Sequence, residues 1–422
     1  MSQSPKESSK EKAVTSTAGV TAHSGIAVER AVADLRRSIP VLLLADATKD
    51  AAAALLVQAA ETVSNADLER LLTLAPAPSS PKIPPQGRAS LILTARRGEV
   101  LILSSAMGSR AKEDKKLEAN SILVLPLPTD FDAQLLAGLA DPTSKEAAGP
   151  FAHLPATLAK PGSIYDASLA LARIACLLPA CVTVPLDVSL FDAEGNDLVK
   201  LAQQWALSAG LLTVCAEDVL ASRGSSDGTL VPVVTARVPL ALTEKAKIHV
   251  YRPENGNQEH LAIVIGNPAP KQPVLTRIHS SCFTGDLLES LRCDCGEQLH
   301  GALVTIVENG NGILLYLTQE GRGIGLVNKL RAYRLQDHGF DTFEANEQLG
   351  FEADERVFSA AAQMLSDLGF SRVRLLTNNP HKVAALERCA ITVEERVPHI
   401  FPANDHNKTY LQTKARRGGH ML

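Results

Sequence analysis

The chain has no run of about 18 apolar residues, so it offers no helix able to cross a membrane. It has no basic surplus either: 42 Lys and Arg stand against 46 Asp and Glu, a formal net charge of −4. Surfaces that bind nucleic acid usually carry excess positive charge, so no nucleic-acid partner is expected. The amino-terminal stretch MSQSPKESSKEKAVTSTAGVTAHSG lacks the apolar core of an export signal. That predicts a cytoplasmic protein in a reducing compartment, where disulfides are rare. Cysteine is scarce, and its count of seven is odd, which fits a disulfide framework poorly. What is present is ordinary for a soluble globular protein: 45% hydrophobic and 21% charged residues in a chain of 422, long enough for two or three domains.

Residues 1–27 are polar and Ser/Lys/Glu-rich and are expected to be disordered. After them "VERAVADLRRSIPVLLLAD" reads as a helix and a short apolar strand, and "KDAAAALLVQAAETVSNADLERLLTLA" as an Ala-rich helical stretch. "APAPSSPKIPPQG" can only be a loop. "SLILTA" and "VLILSSA" look like strands, and two helix–strand repeats follow a poorly patterned region from about Pro126 to Gly162. "GSSDGT", Gly224 to Thr229, is a linker candidate and the expected main boundary. Beyond it "KIHVYRP", "HLAIVIG" and "VLTRIHS" read as strands. A helix–strand alternation then includes the fully apolar "GILLYLT". The expected fold is α/β, with sites at loops that leave the ends of strands.

Three of the seven cysteines crowd into "CFTGDLLESLRCDCG" as C-x10-C-x-C. On a continuous helix, Cys293 and Cys295 would point apart, so the helix started at "GDLLESL" must break near Arg292, with Gly296 suited to the turn. Cys282, Cys293 and Cys295 then supply three thiolates, with His279 as a possible fourth ligand. Three ligands and an open position describe a hydrolytic zinc, and four a structural zinc. Spacing and ligand count leave both readings open, as well as a cluster without metal.

The segments "RIHSSCFTGDLLESLRCDCGEQL", "YLTQEGRGIGLVNKLRAYRLQDHGFDTFEAN", "LGFEADER", "LLTNNPHK" and "YLQTKARRGGHML" resemble GTP cyclohydrolase II, in family order, over about Val231 to Leu422. The resemblance implies hydrolysis of GTP at C8 of guanine, with release of formate and pyrophosphate and a diaminopyrimidinone ribosylamino phosphate as product. This is the first committed step of riboflavin synthesis. It also implies one Zn²⁺ per chain on Cys282, Cys293 and Cys295, Mg²⁺ with the GTP phosphates, and a homodimer. By the same resemblance Asp354 is the proton acceptor, Tyr333 lies near the imidazole ring being opened, and Arg356 acts at the α-phosphate. For Arg356 a charge clamp is preferred over a covalent role, because a guanidinium with a pKa above ~12 is a poor nucleophile. GTP contacts map onto Arg277, Ile278, His279, Ser280, Ser281, Gln298, Glu320, Gly321, Arg322, Thr342, Thr377 and Lys382. Glu320 is the candidate reader of the guanine edge. The family's Ser-Glu-Cys is Ser280-Ser281-Cys282 here, a departure that removes a carboxylate but no ligand.

"AVADLRRSIPVLLLADATKDAAAALLVQAAETVSNADLERLL" and the later helix–strand repeats look like dihydroxybutanone phosphate synthase, often fused ahead of GTP cyclohydrolase II. That family's acidic Arg-Glu-Asn-Glu-Gly-Asp-Leu segment reads Lys49-Asp50-Ala51-Ala52-Ala53-Ala54-Leu55 here, and its Gly-His-Thr-Glu reads Gly162-Ser163-Ile164-Tyr165. No oxygen cage for Mg²⁺ is left. The expected organisation is a disordered tail (1–27), an inactive dihydroxybutanone phosphate synthase-like α/β domain (28–225) and a GTP cyclohydrolase II-like α/β domain with a mixed sheet (226–422). Two alternatives stay in view: a bifunctional enzyme in which Asp50 helps rebuild the first site, and a non-catalytic guanine-nucleotide-binding regulator.

Overall fold

The structure, a computed structural model, describes residues 17–45, 54–75, 88–101, 121–144, 156–186, 198–223, 228–254, 258–352 and 354–421. The Lys49 to Ala53 stretch with Asp50, the Pro/Ser loop from residue 76 on, most of "VLILSSA" and the Gly224 to Asp227 part of the linker lie outside the described residues.

Two seven-stranded sheets divide the chain. The first has the order Thr157–Ala159, Ile122–Pro126, Ser90–Thr94, Ala180–Pro185, Ala54–Ala59, Val41–Leu44, Leu212–Cys215. Its pairs are antiparallel except the last, which is parallel. Its central strands are mostly apolar because both faces are covered, with Gln58 and Thr183 as buried polar exceptions. Along Val41–Leu44 the side chains alternate between two buried clusters, Val41 and Leu43 in one, Leu42 and Leu44 in the other. The Thr17–Arg36 helix covers the first face with Val28, Ala31, Val32 and Leu35. That helix begins inside the stretch expected to be without structure.

One segment departs from its expected state. "ALLVQA", Ala54–Ala59, is a strand and not part of a helix. All six of its residues are buried in mid-sheet, so cross-strand packing overrides the helix propensity of Ala and Leu, which is worth only tenths of a kcal/mol per residue. The helix that follows, Asn65–Leu74, starts where a capping box forms between Ser64 and Asp67.

The second sheet has the order Thr392–Val397, Arg372–Leu376, Val274–Ser280, Gly312–Leu317, His260–Ile265, Ala246–Pro253, Leu230–Arg237. The first four strands are parallel and the rest antiparallel, so the sheet is mixed. The Ser359–Asp367 and Pro380–Arg388 helices pack on one face, and the Cys295–Glu308 helix packs on the other through Ala302 and Ile306. No helix among the described residues is long and apolar enough to cross a membrane.

The two halves share one core. The cluster holding Leu42, Leu56, Leu91 and Leu125 of the first sheet also contains Ile324, Ala332, Leu335, Ala345, Leu349 and Phe351. These six come from the Gly325–Asp337 and Thr342–Gln348 helices and their flanks, which therefore lie over the first sheet although they follow strands of the second.

Candidate functional site

Three neighbouring parallel strands, Val274–Ser280, Gly312–Leu317 and Arg372–Leu376, end on the same side of the second sheet. Their exits form the site, as expected for the carboxyl ends of parallel strands. The loops after them carry the cysteines, the "QEGRGIG" turn and "TNNPHK". Together they line one cleft.

The cysteine loop is built differently from the expected helix. Phe283–Leu287 is a single wide helical turn, and the next helix begins at Cys295, so Gly296 sits in its first turn rather than in the break. Asp286, buried under the loop, ties it down. It accepts from the Cys282 amide at 2.9 Å and the Tyr316 hydroxyl at 2.9 Å, and His279 Nε2 lies 3.0 Å from its other oxygen. His279 is therefore engaged by Asp286 rather than joining the sulfurs as a fourth ligand. Burial lowers its pKa and favours the neutral ring.

Cys282, Cys293 and Cys295 have their sulfurs within 4.8 Å of one another, the metal-ligand cluster found among the described residues. The Cys282 and Cys293 sulfurs are 3.8 Å apart, too far for a disulfide. Two thiolates each 2.3 Å from a tetrahedral zinc would stand about 3.8 Å apart, so the spacing fits that ion. Gly285 makes room for the cluster: a Cβ there would come within 2.8 Å of Cys293 Sγ and 3.0 Å of Cys282 Sγ. The donor set thus suits a thiophilic dication.

Lys329 stands beside the cluster. Its Nζ is 3.1 Å from Cys282 Sγ, 2.8 Å from Thr284 Oγ1 and 2.9 Å from Glu320 Oε1. Burial works to lower its pKa, but the bonds to Glu320 and Cys282 prevail and raise it, so the ammonium stays charged. Glu320 also accepts from the Phe283 amide at 2.6 Å, so the candidate guanine reader already has partners. Tyr333, one turn beyond Lys329, faces the same space, and burial pushes its phenol up to about 12.

The same cleft carries a cationic wall. Arg277 donates to the Leu376 carbonyl at 2.9 Å and to Gln298. Lys382 Nζ donates to the Ile278 carbonyl at 2.9 Å. Burial, with Arg277 and Arg356 close by, pushes the Lys382 ammonium well below its usual range. An anion placed here would restore that charge. Arg356 is held by Asp354 through two parallel bonds of 2.8 and 2.6 Å. Burial alone would raise the Asp354 carboxyl, but Arg356 wins and keeps it below the ordinary carboxylate range.

Of the residues expected from sequence, the cleft gathers Arg277, His279, Ser280, Ser281, the three cysteines, Gln298, Glu320, Gly321, Arg322, Tyr333, Thr342, Arg356, Thr377 and Lys382. Two stand back from it. The Ile278 side chain is in the core, leaving only its carbonyl, and Asp354 lies behind Arg356. The cleft adds residues not anticipated, among them Arg292, Lys329, Tyr410, Lys414 and His420. Lys414 bonds Asp294, the residue between two cysteines, at 2.7 Å. The carboxyl-terminal motif "YLQTKARRGGHML" carried a signal for this wall, but no single residue in it stood out. Ser281, where the family pattern has Glu, accepts from the Gln319 amide at 3.1 Å.

The family model described as GTP cyclohydrolase II matches residues 232–398. A GTP cyclohydrolase-2 from Azospirillum brasilense is 48% identical over 397 residues, 94% of this chain and 94% of that protein. A riboflavin biosynthesis protein RibBA from Bacillus cereus is 44% identical over 282 residues, 64% of this chain and 68% of that one. Among solved structures, RibBX, a two-domain 3,4-dihydroxy-2-butanone 4-phosphate synthase from A. baumannii, aligns with 89% of this chain and 99% of its own, at 18% identity and a TM-score of 0.34.

Proposed function

This chain belongs to the GTP cyclohydrolase II family of hydrolases, and on that premise we propose that its cleft opens the imidazole ring of GTP, releasing formate and pyrophosphate. One observation carries the reading. A three-thiolate cluster and a wall of Arg277, Arg356 and Lys382 share one cleft, so it offers a metal-binding donor set for the ring chemistry and positive charge for the phosphates.

Cys282, Cys293 and Cys295 would hold zinc. Bound there, zinc would supply the acidity that makes water a nucleophile near neutral pH. The chain's own residues do the rest. Lys329 balances thiolate charge and holds Glu320. Glu320 turns toward the guanine edge when the base arrives, exchanging the Phe283 amide for base N–H donors. Tyr333, protonated at neutral pH, donates its phenolic hydrogen bond beside the ring being opened. Arg356, aimed by Asp354, clamps the charge that develops as pyrophosphate departs, with Lys382 and Thr377 beside it and Mg²⁺ on the phosphates. Asp354 remains the candidate proton acceptor, although its bonds to Arg356 favour the aiming role.

The reading assigns residues 226–422 to this activity and no chemistry of its own to the 28–225 domain. In support, Ser163 stands where the resemblance calls for a metal-binding His. Its hydroxyl caps the Ile164–Ile174 helix by accepting from the Asp166 amide. The setting proposed is a cytoplasmic homodimer. The deciding experiment incubates purified protein with GTP and Mg²⁺ and assays formate and pyrophosphate. Stoichiometric release of both is expected, and GTP binding without either product would favour a regulator instead.

A further inference from the structure

The cleft wall formed by the Gly325–Asp337 helix has a back as well as a front. Lys329 and Tyr333 face the cleft. Asn328 and Arg331, on the opposite side, face the first half of the chain. Arg331 Nε lies 2.8 Å from Asp141 Oδ2, and its Nη1 lies 2.8 Å from both Glu61 Oε1 and Asn328 Oδ1. Asn328 Nδ2 donates to the Cys176 carbonyl at 2.9 Å. All three charged side chains are less than one fifth exposed. Ala332 and Leu335 of the same helix are buried in the core of the first sheet.

The turn that leads into this helix leans on the same half. A Cβ on Gly325 would come within 3.1 Å of Cys176 Cβ. Gly321 and Arg322 both adopt left-handed φ angles, of 62° and 63°, a conformation that costs Arg322 of the order of 1 kcal/mol and persists only where surroundings hold it. The neighbouring Glu355 amide donates to the Arg322 carbonyl at 3.1 Å, and Glu355 in turn faces Arg173 of the first half at 3.8 Å.

Resting on the function proposed above, we propose that the first half serves as the positioning element of the cyclohydrolase site, with Arg331, through Glu61 and Asp141, as the positioning residue that fixes the helix carrying Lys329 and Tyr333. The physical basis is leverage. A reacting group misplaced by about 1 Å can cost about 10²-fold in rate. Losing the guanidinium would leave two partly buried carboxylates facing an empty socket, so the helix would relax away from its seat.

The test uses the full chain and three variants: Arg331→Ala, Arg331→Lys, and Glu61→Gln with Asp141→Asn. Arg331→Ala should lower kcat for formate release about tenfold or more, with KM for GTP within about threefold and zinc retained. Arg331→Lys should recover part of the rate, since one ammonium can still meet one carboxylate. The paired isosteric change lies wholly in the first half, should reproduce the loss, and should add little when combined with Arg331→Ala. It also carries the test if Arg331→Ala does not fold. Hydrogen exchange over 320–337, measured without substrate, should accelerate in the paired variant. That readout stands even if the parent protein released no formate, an outcome that would sink the proposed function alone. Unchanged exchange, or kcat within about twofold of the parent in the paired variant, overturns the positioning role.

Discussion

The two sides of the cleft are anchored differently. The side bearing the cysteines, Arg277 and Lys382 is held by the second sheet and its own loops. Asp286 ties the Cys282 amide to Tyr316 and His279, while Arg277 and Lys382 are fastened to the Leu376 and Ile278 carbonyls of adjoining strands. The other side, from Gly321 through Gln348, begins in left-handed backbone and buries its apolar face in the core of the first sheet. Rigid strands thus hold the groups that must keep fixed distances from one another. The helix bearing Lys329 and Tyr333 is seated on a neighbour. The surface of the first half is thus the foundation of that wall.

The sharpest way to break this comparison is at the metal. Cys293→Ser should abolish zinc binding and take formate release below detection, while leaving the phosphate side intact. Some cleavage of GTP to GMP and pyrophosphate should persist, because Arg356 and Lys382 are held without help from the sulfurs. Zinc-free protein that still released formate would overturn the metal's role. Next in size, Arg356→Ala should slow pyrophosphate release about 10²-fold, the scale of losing one transition-state charge partner. Arg356→Lys should keep part of that rate if the residue is a clamp, and equal, complete loss in both variants with zinc and GTP still bound would count against it. Gly285→Ala should have a smaller effect. Its Cβ would press within 2.8 Å of Cys293 Sγ, so zinc retention against a chelator should weaken by about tenfold as the sulfurs shift. Unaltered retention would mean that the loop has slack that its Asp286 bonds do not suggest.

How far these features could be read beforehand depended on how local they are. The three sulfurs lie within fourteen residues, so the cysteine cluster was legible from spacing, while three ligands, a fourth from His279, or no metal at all stayed open. Arg277, Lys382 and Arg356 came with short motifs that resemble the family's, and the structure gathers them in one cleft. His279 misled as a ligand because its partner Asp286 lies in a turn with no periodic signal. Ala54–Ala59 misled because Ala and Leu favour a helix, and only its place between two other strands decides otherwise. Lys329 was unmarked in a helix of mixed polarity, and Arg331 meets acids 270 and 190 residues away, pairings that no local pattern encodes.

The smallest expected effect concerns acid stability, and it sharpens the comparison by asking which side of the cleft titrates. His399, on the strand-anchored side, lies 2.8 Å through Nε2 from the Gln298 carbonyl and packs edge-on against Phe401. A carbonyl only accepts, so Nε2 carries the hydrogen. Burial, with Arg277 nearby, lowers its pKa to about 4. The unfolded chain has the ordinary histidine value of about 6.5, so it takes up a proton first as pH falls. The neutral buried ring therefore costs nothing above about pH 6.5, and stability is lost progressively between there and about pH 4. At about pH 5 the loss amounts to about 2 kcal/mol. His399→Gln can still donate to the Gln298 carbonyl but cannot titrate. Its urea midpoint should shift less than the parent's between neutral pH and about pH 5. Identical shifts in the two proteins would show that acid acts elsewhere.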